Sequence, residues 1–242
     1  MNSSIQIMLM DLTLDSHAER ERDTLSRLHA TEQARYRNFS HPQRRQVWLA
    51  GRALLLAALA KQLGHVDAAA LRTDPEGGVR YGDGTIHLSL SHCRELIAIA
   101  LSGQRIGVDL EWPRPRKSIL HAGQVFSEPE AAQLNALPEA ELQDAFYVLW
   151  TLKEAACKAA GVSLWTSLRH ACFDLDKAGF DPRSPFPGGD WQFMSACIEP
   201  GWRLATAVRD AGDVPDIESW RMIEPGRWRS QPLARQQFLQ GK

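Results

Sequence analysis

Two acids lie two residues apart, Asp109 and Glu111, in the run Arg105-Ile-Gly-Val-Asp-Leu-Glu-Trp. Read as a strand, this run puts Ile106, Val108 and Leu110 on one face and Gly107, Asp109 and Glu111 on the other. Two steps of strand rise separate the two Cα atoms by about 7 Å, so both carboxylates can converge on one cation. Oxygen-only ligands favour Mg²⁺ over zinc. Acids are depleted in strands, and two on one face repel unless something neutralises them. An isolated Asp-x-Glu is more often a solvent-facing strand, so the pair alone leaves both readings open.

A second block runs Phe146-Tyr-Val-Leu-Trp-Thr-Leu-Lys-Glu-Ala-Ala-Cys-Lys-Ala-Ala-Gly. In helical register Leu149, Leu152, Ala156 and Ala159 form a buried stripe, while Trp150, Lys153 or Glu154, and Lys158 line another face. Glu154 and Lys158 suit a surface ion pair worth about 0.3–0.5 kcal/mol. They equally suit a third carboxylate beside cations that face a polyanion. A third block, His87-Leu-Ser-Leu-Ser-His-Cys, places His92 where a strand turns, flanked by small hydroxyls. Such a histidine is either structural or a ligand contact. Between Arg35 and Arg52 stand five arginines and no acid. Arginine forks match phosphate oxygens, although a solvated helix face has the same composition.

The whole chain narrows the choice. Its 242 residues carry 28 Lys+Arg against 29 Asp+Glu, a formal net charge of −1. That balance argues against a protein that coats nucleic acid. With 44% hydrophobic and 24% charged residues the composition is globular. No apolar run reaches the ~18–20 residues of a membrane helix; Leu54 to Leu63 is short and contains Lys61. No basic n-region opens the chain, so no signal peptide is expected. Four scattered cysteines fit reduced thiols in the cytoplasm.

The elements that must hold these residues follow from periodicity and breakers. A strand is expected over 4–14 and helices over 17–38 and 42–63, with Pro42 in a first turn and Gly64 at an end. Turns at Asp74-Pro-Glu-Gly-Gly and Gly82-Asp-Gly precede strands at 86–90, 96–101 and 105–111. Helices over 128–137 and 139–160 end at Gly161, followed by strands at 171–176, 191–198 and 202–208. This order implies an α+β fold whose halves meet near residues 102–105. The expected divisions are 1–103, 104–210 and an irregular tail over 211–242.

In the order Ser-Leu-Ser-His, Gly-Val-Asp-Leu-Glu, Phe126-Ser-Glu-Pro-Glu and Leu149-Trp-Thr-Leu-Lys-Glu-Ala-Ala-Cys-Lys, the blocks resemble the Sfp-type 4′-phosphopantetheinyl transferase family. The resemblance spans roughly residues 30–208. It implies a pseudo-dimer of two similar α+β halves with the active site in the cleft between them. It also implies Mg²⁺-dependent transfer of 4′-phosphopantetheine from coenzyme A to a serine of an apo acyl or peptidyl carrier protein, releasing adenosine 3′,5′-bisphosphate. Carried over by position, Asp109, Glu111 and Glu154 are the Mg²⁺ ligands, and Lys158 is the cation on the pyrophosphate. Lys153 partners a phosphate or carboxylate, and His92, Arg45 and Arg52 hold the 3′-phosphate side of the nucleotide. Glu130 lies near the reacting centre and Trp150 supports the site; either Glu154 or Glu130 takes the serine proton. Arg114, Arg116 and Lys117 are candidate carrier contacts.

Two positions depart from the family pattern: Glu76-Gly-Gly-Val-Arg replaces a Gly-Lys-Pro loop, leaving Arg80 as a substitute cation, and Glu32 stands where a basic residue is expected, leaving Arg35. A monomer suffices for one site, with neither nucleic acid nor membrane as partner. The competing functions are a coenzyme A or carrier binder without turnover and a Mg²⁺-dependent nucleotide hydrolase.

Overall fold

A computed structural model describes residues 4–14, 21–74, 78–115, 119, 121–210 and 216–240. The chain is mixed helix and sheet, the α+β class expected, and divides into two compact units. The first comprises Met1–Gly103 with Asp216–Pro232; the second comprises Gln104–Pro215 with Leu233–Lys242. None of the described helices is long and apolar enough to cross a membrane.

The first unit has a seven-stranded sheet in the order β12-β11-β1-β5-β4-β3-β2. These strands are β1 (Ile5–Asp11), β2 (Leu71–Thr73), β3 (Val79–Tyr81), β4 (Ile86–Cys93), β5 (Leu96–Ser102), β11 (Ile217–Glu224) and β12 (Arg227–Ser230). Two helices accompany them, α1 (Ala30–Asn38) and α2 (Pro42–Leu63). As expected, α2 has Pro42 in its first turn and stops at Gly64, whose φ of 77° favours glycine. Its Leu54, Leu55, Ala58 and Leu59 pack in one core with Met8, Ile97, Ile99 and Leu101 of the sheet.

The second unit has a six-stranded sheet in the order β6-β10-β9-β13-β8-β7. Its strands are β6 (Ile106–Glu111), β7 (Ala171–Asp174), β8 (Gly179–Pro182), β9 (Trp191–Ile198), β10 (Trp202–Arg209) and β13 (Ala234–Gln240). Its helices are α3 (Ala122–Val125), α4 (Glu128–Ala136), α5 (Glu139–Ala160) and α6 (Leu164–His170). The long helix α5 lies on β6 and β10 with Leu149, Leu152, Ala156 and Ala159 buried, the stripe that periodicity gives. Small residues line this contact: Ala155, Ala156 and Ala159 on the helix, Gly107, Ala205 and Ala207 on the strands. At Gly107 the approach is closest, because a Cβ there would stand 1.9 Å from the Ala155 carbonyl oxygen.

Two expectations need correction. The single helix over 17–38 is broken: Glu21–Leu25 forms a π-turn, and α1 begins only after His29, whose ring accepts from the Thr31 N–H. Leu25 and Leu28 still pack against the core on the near side of the break. The irregular tail over 211–242 instead supplies three strands, β11, β12 and β13. Its prolines suggested irregularity, yet Pro225 and Pro232 fall between strands, where a missing N–H costs no ladder bond. The turn at Glu76 and the candidate contacts Arg116 and Lys117 lie outside the described residues.

Gly107→Ala should destabilise the protein by about 3 kcal/mol or more, since the added methyl meets helix backbone that cannot rotate away. Gly103→Ala, which meets nothing within 4 Å, should change stability by less than about 0.5 kcal/mol. Denaturant melts of both variants check this; equal stabilities would show that α5 can move off the strand.

Candidate active site

The close contact at Gly107 sets the site. Because α5 rests on β6 there, the next residue on that strand face, Asp109, lies beside the helix and is only 6% exposed. Lys158, in the last turn of α5, places its Nζ 2.8 Å from Asp109 Oδ1 and donates to the Val108 carbonyl at 2.9 Å. The ammonium is thus held at two points while its side chain stays 30% exposed. Glu154, one turn earlier on the same helix, and Glu111, two residues along β6, are half-buried. Three carboxylates against one ammonium give these four groups a formal sum of −2. At Cys157, on the same helix, burial first and then the charge of Glu154 push the thiol up to about 11, against the opposing charge of Lys158.

The donor types fit a hard divalent cation, since every candidate atom is a carboxylate oxygen. Among the described residues, however, no three His, Cys, Asp or Glu side chains are gathered into a set that could hold a metal ion. The close partners are Asp109 and Lys158; the three carboxylates are not brought together around a common point.

Lys153 and Glu130 belong elsewhere. Glu130 Oε1 lies 2.8 Å from Lys153 Nζ, with side-chain exposures of 1% and 0%. The same oxygen accepts from the Phe173 N–H at 2.9 Å, while Oε2 accepts from the Ser127 N–H at 3.1 Å and Oγ at 2.5 Å. Lys153 also donates to the Leu168 and Ala171 carbonyls, at 2.9 and 2.5 Å. Burial pushes the lysine below the ordinary lysine range, and the charge of Glu130 works against that push. Of the two partners expected for Lys153, a phosphate or a carboxylate, the structure gives it the carboxylate of Glu130. Each neutralises the other inside the core. The spacing of Ser127 and Glu130, a helix-start capping box, was the sequence signal for this structural use. Trp150 stacks on Phe146, with centroids 6.0 Å apart, and is partly buried against the same core.

In the first unit His92 is exposed at the end of β4 and lines a pocket of about 930 Å³ with Phe39, Arg44, Trp48, Arg52 and Arg94. Arg52 is turned inward. Its Nε meets Glu32 Oε2 at 3.0 Å, its Nη2 meets Thr73 Oγ1 at 2.6 Å, and its guanidinium lies 4.4 Å from the Trp48 ring. Burial lowers its pKa, while Glu32 opposes the shift. Arg45 donates to the Phe39 carbonyl at 2.6 Å and lies over Tyr36. Both arginines thus have internal partners, and Glu32, a departure at sequence level, is the counter-charge of Arg52. Arg44, which sequence reading passed over, is exposed and lines the pocket.

A family profile, the 4′-phosphopantetheinyl transferase superfamily, matches residues 105–207, which include β6 and the whole of α5. The 4′-phosphopantetheinyl transferase HetI of Nostoc sp. is 32% identical over 166 residues, 65% of this chain and 70% of that protein. The 4′-phosphopantetheinyl transferase Sfp of Bacillus subtilis is 29% identical over 209 residues, 84% of this chain and 91% of its own. AcpT of Salmonella typhi, another of that name, is 39% identical over 128 residues, 50% and 62% of the two chains. The chain therefore belongs to the 4′-phosphopantetheinyl transferase superfamily, a class of transferase enzymes.

If the Glu130–Lys153 pair is structural, Lys153→Met alone should cost about 3–5 kcal/mol, because it leaves a buried carboxylate uncompensated. Adding Glu130→Gln should recover much of that loss. Urea unfolding of the two variants beside the wild type tests it; a stable, inactive Lys153→Met would instead return the lysine to catalysis.

Proposed function

We propose that this enzyme transfers 4′-phosphopantetheine from coenzyme A to a serine hydroxyl of an apo carrier protein, releasing adenosine 3′,5′-bisphosphate. The observation that carries the reading is the Asp109–Lys158 pair at the end of α5, with Glu154 one turn away. The serine oxygen attacks the β-phosphorus of coenzyme A while the pyrophosphate bond to the adenosine part breaks. Catalysis is then positioning and charge compensation. Lys158, anchored by Asp109 and the Val108 carbonyl, presents its ammonium to the leaving phosphate. Glu154 takes the serine proton, since Glu130 is committed to Lys153 in the core. Mg²⁺ would supply a Lewis acid for the phosphate oxygens, and holding it would require Asp109, Glu111 and Glu154 to draw together from the positions they have here. Arg44 and His92 are the groups on which the 3′-phosphate reading rests.

Mass spectrometry of an apo carrier incubated with coenzyme A and Mg²⁺ decides the reaction. Gain of one phosphopantetheine supports transfer, phosphate release without carrier supports a hydrolase, and an unchanged carrier across a broad panel supports a binder. Asp109→Asn keeps the shape but removes one charge and weakens the anchor of Lys158. Turnover should fall at least a hundredfold and the Mg²⁺ requirement rise, with the fold retained. Wild-type loading by this variant would break the site assignment. Arg44→Ala should raise the KM for coenzyme A more than that for 3′-dephospho-coenzyme A; equal changes would detach Arg44 from the 3′-phosphate.

A further inference from the structure

In the second unit a large apolar side chain faces solvent: Trp165 of α6, 62% exposed. Among the described residues the other exposed large hydrophobic is Leu63 of the first unit, at 45%. The tryptophan is not loosely held. The Arg169 guanidinium, one helical turn on, lies 4.9 Å from its ring centroid. Arg169 is itself fixed, donating from Nη1 to the Phe126 carbonyl at 3.1 Å and from Nη2 to the Gln124 carbonyl at 2.8 Å. The indole therefore rests on a cation tied to the backbone around the α3–α4 connection. An exposed aromatic ring held in one orientation loses little further freedom when a partner covers it.

Charge and position indicate what covers it. Helix α6 contains no acid, and its last turn carries Arg169 and His170. Gly161, in the left-handed conformation, ends α5, and Ser163 caps α6 by accepting the Thr166 N–H at 3.1 Å. Trp165 thus follows Lys158 by seven residues, across one tight connection from the helix end where the acceptor hydroxyl must arrive. That hydroxyl comes on a protein.

We propose that Trp165, seated on Arg169, is a docking contact for the carrier protein, covered by an apolar side chain beside acidic groups near the acceptor serine. This rests on the transferase reading above. The test uses full-length enzyme, coenzyme A and an apo-acyl carrier protein that the wild type loads. Trp165→Ala should raise the KM for carrier about tenfold or more while leaving the KM for coenzyme A unchanged. Trp165→Glu should lose more than Trp165→Lys, with the gap narrowing as salt is raised. Leu63→Ser, the exposed control, should match wild type in both constants.

A folded Trp165→Ala with wild-type kcat/KM for carrier overturns the proposal, as do equal KM changes for both substrates. Should Trp165→Ala melt early, the Glu and Lys variants decide, and equal carrier KM values for those two overturn the acidic partner. Failure of the wild type to load any carrier would overturn the transferase reading itself, a result distinct from all of these.

Discussion

The approach of α5 to β6 at Gly107 is the contact on which the second unit depends. Nothing larger than hydrogen fits between that strand and the Ala155 carbonyl. Alanines on both surfaces extend the close contact on either side, so the helix sits low over the sheet. A low helix brings the short side chain of Asp109 within 2.8 Å of Lys158, although the two residues are 49 positions apart. A β-branched residue at 107 would lift the helix and separate the pair. The site is therefore a product of packing as much as of its own charges.

The two lysines of α5 show how one helix serves core and site together. Five residues at 100° each turn Lys153 and Lys158 about 140° apart, so they cannot share a face. Glu154 and Lys158, four apart, differ by about 40°. Lys153 consequently points into the α4–α6–β7 side of the unit, where Glu130 and two carbonyls receive it. Lys158 points along β6. The Glu130–Lys153 pair ties α5 to α4 and β7, while Lys158, partly exposed beside the buried Asp109, keeps its ammonium with room for a ligand.

Much of this was legible in the sequence. Proline and glycine marked both ends of α2, and the apolar stripe of α5 was readable residue by residue. The grouping of Gly107, Asp109 and Glu111 on one strand face also followed from alternation. What escaped was long-range pairing. Glu32 and Arg52 are 20 positions apart, and Glu130 and Lys153 are 23, so their mutual neutralisation has no local sign. The tail escaped for a related reason: β11 gains its place by pairing with β1, more than 200 residues earlier, and not from its own pattern.

That pairing governs how the molecule can be made. β1 is made long before β11, yet one of its two edges waits for that strand. In the other unit β9 likewise waits for β13, which ends at residue 240. Domains commonly fold in turn as they leave the exit tunnel, but here neither sheet gains all its strands until β11, β12 and β13 have been made. Until then β1 exposes an unpaired edge, as does β9 once it has been made, and such nascent edges would attract chaperones or neighbouring chains.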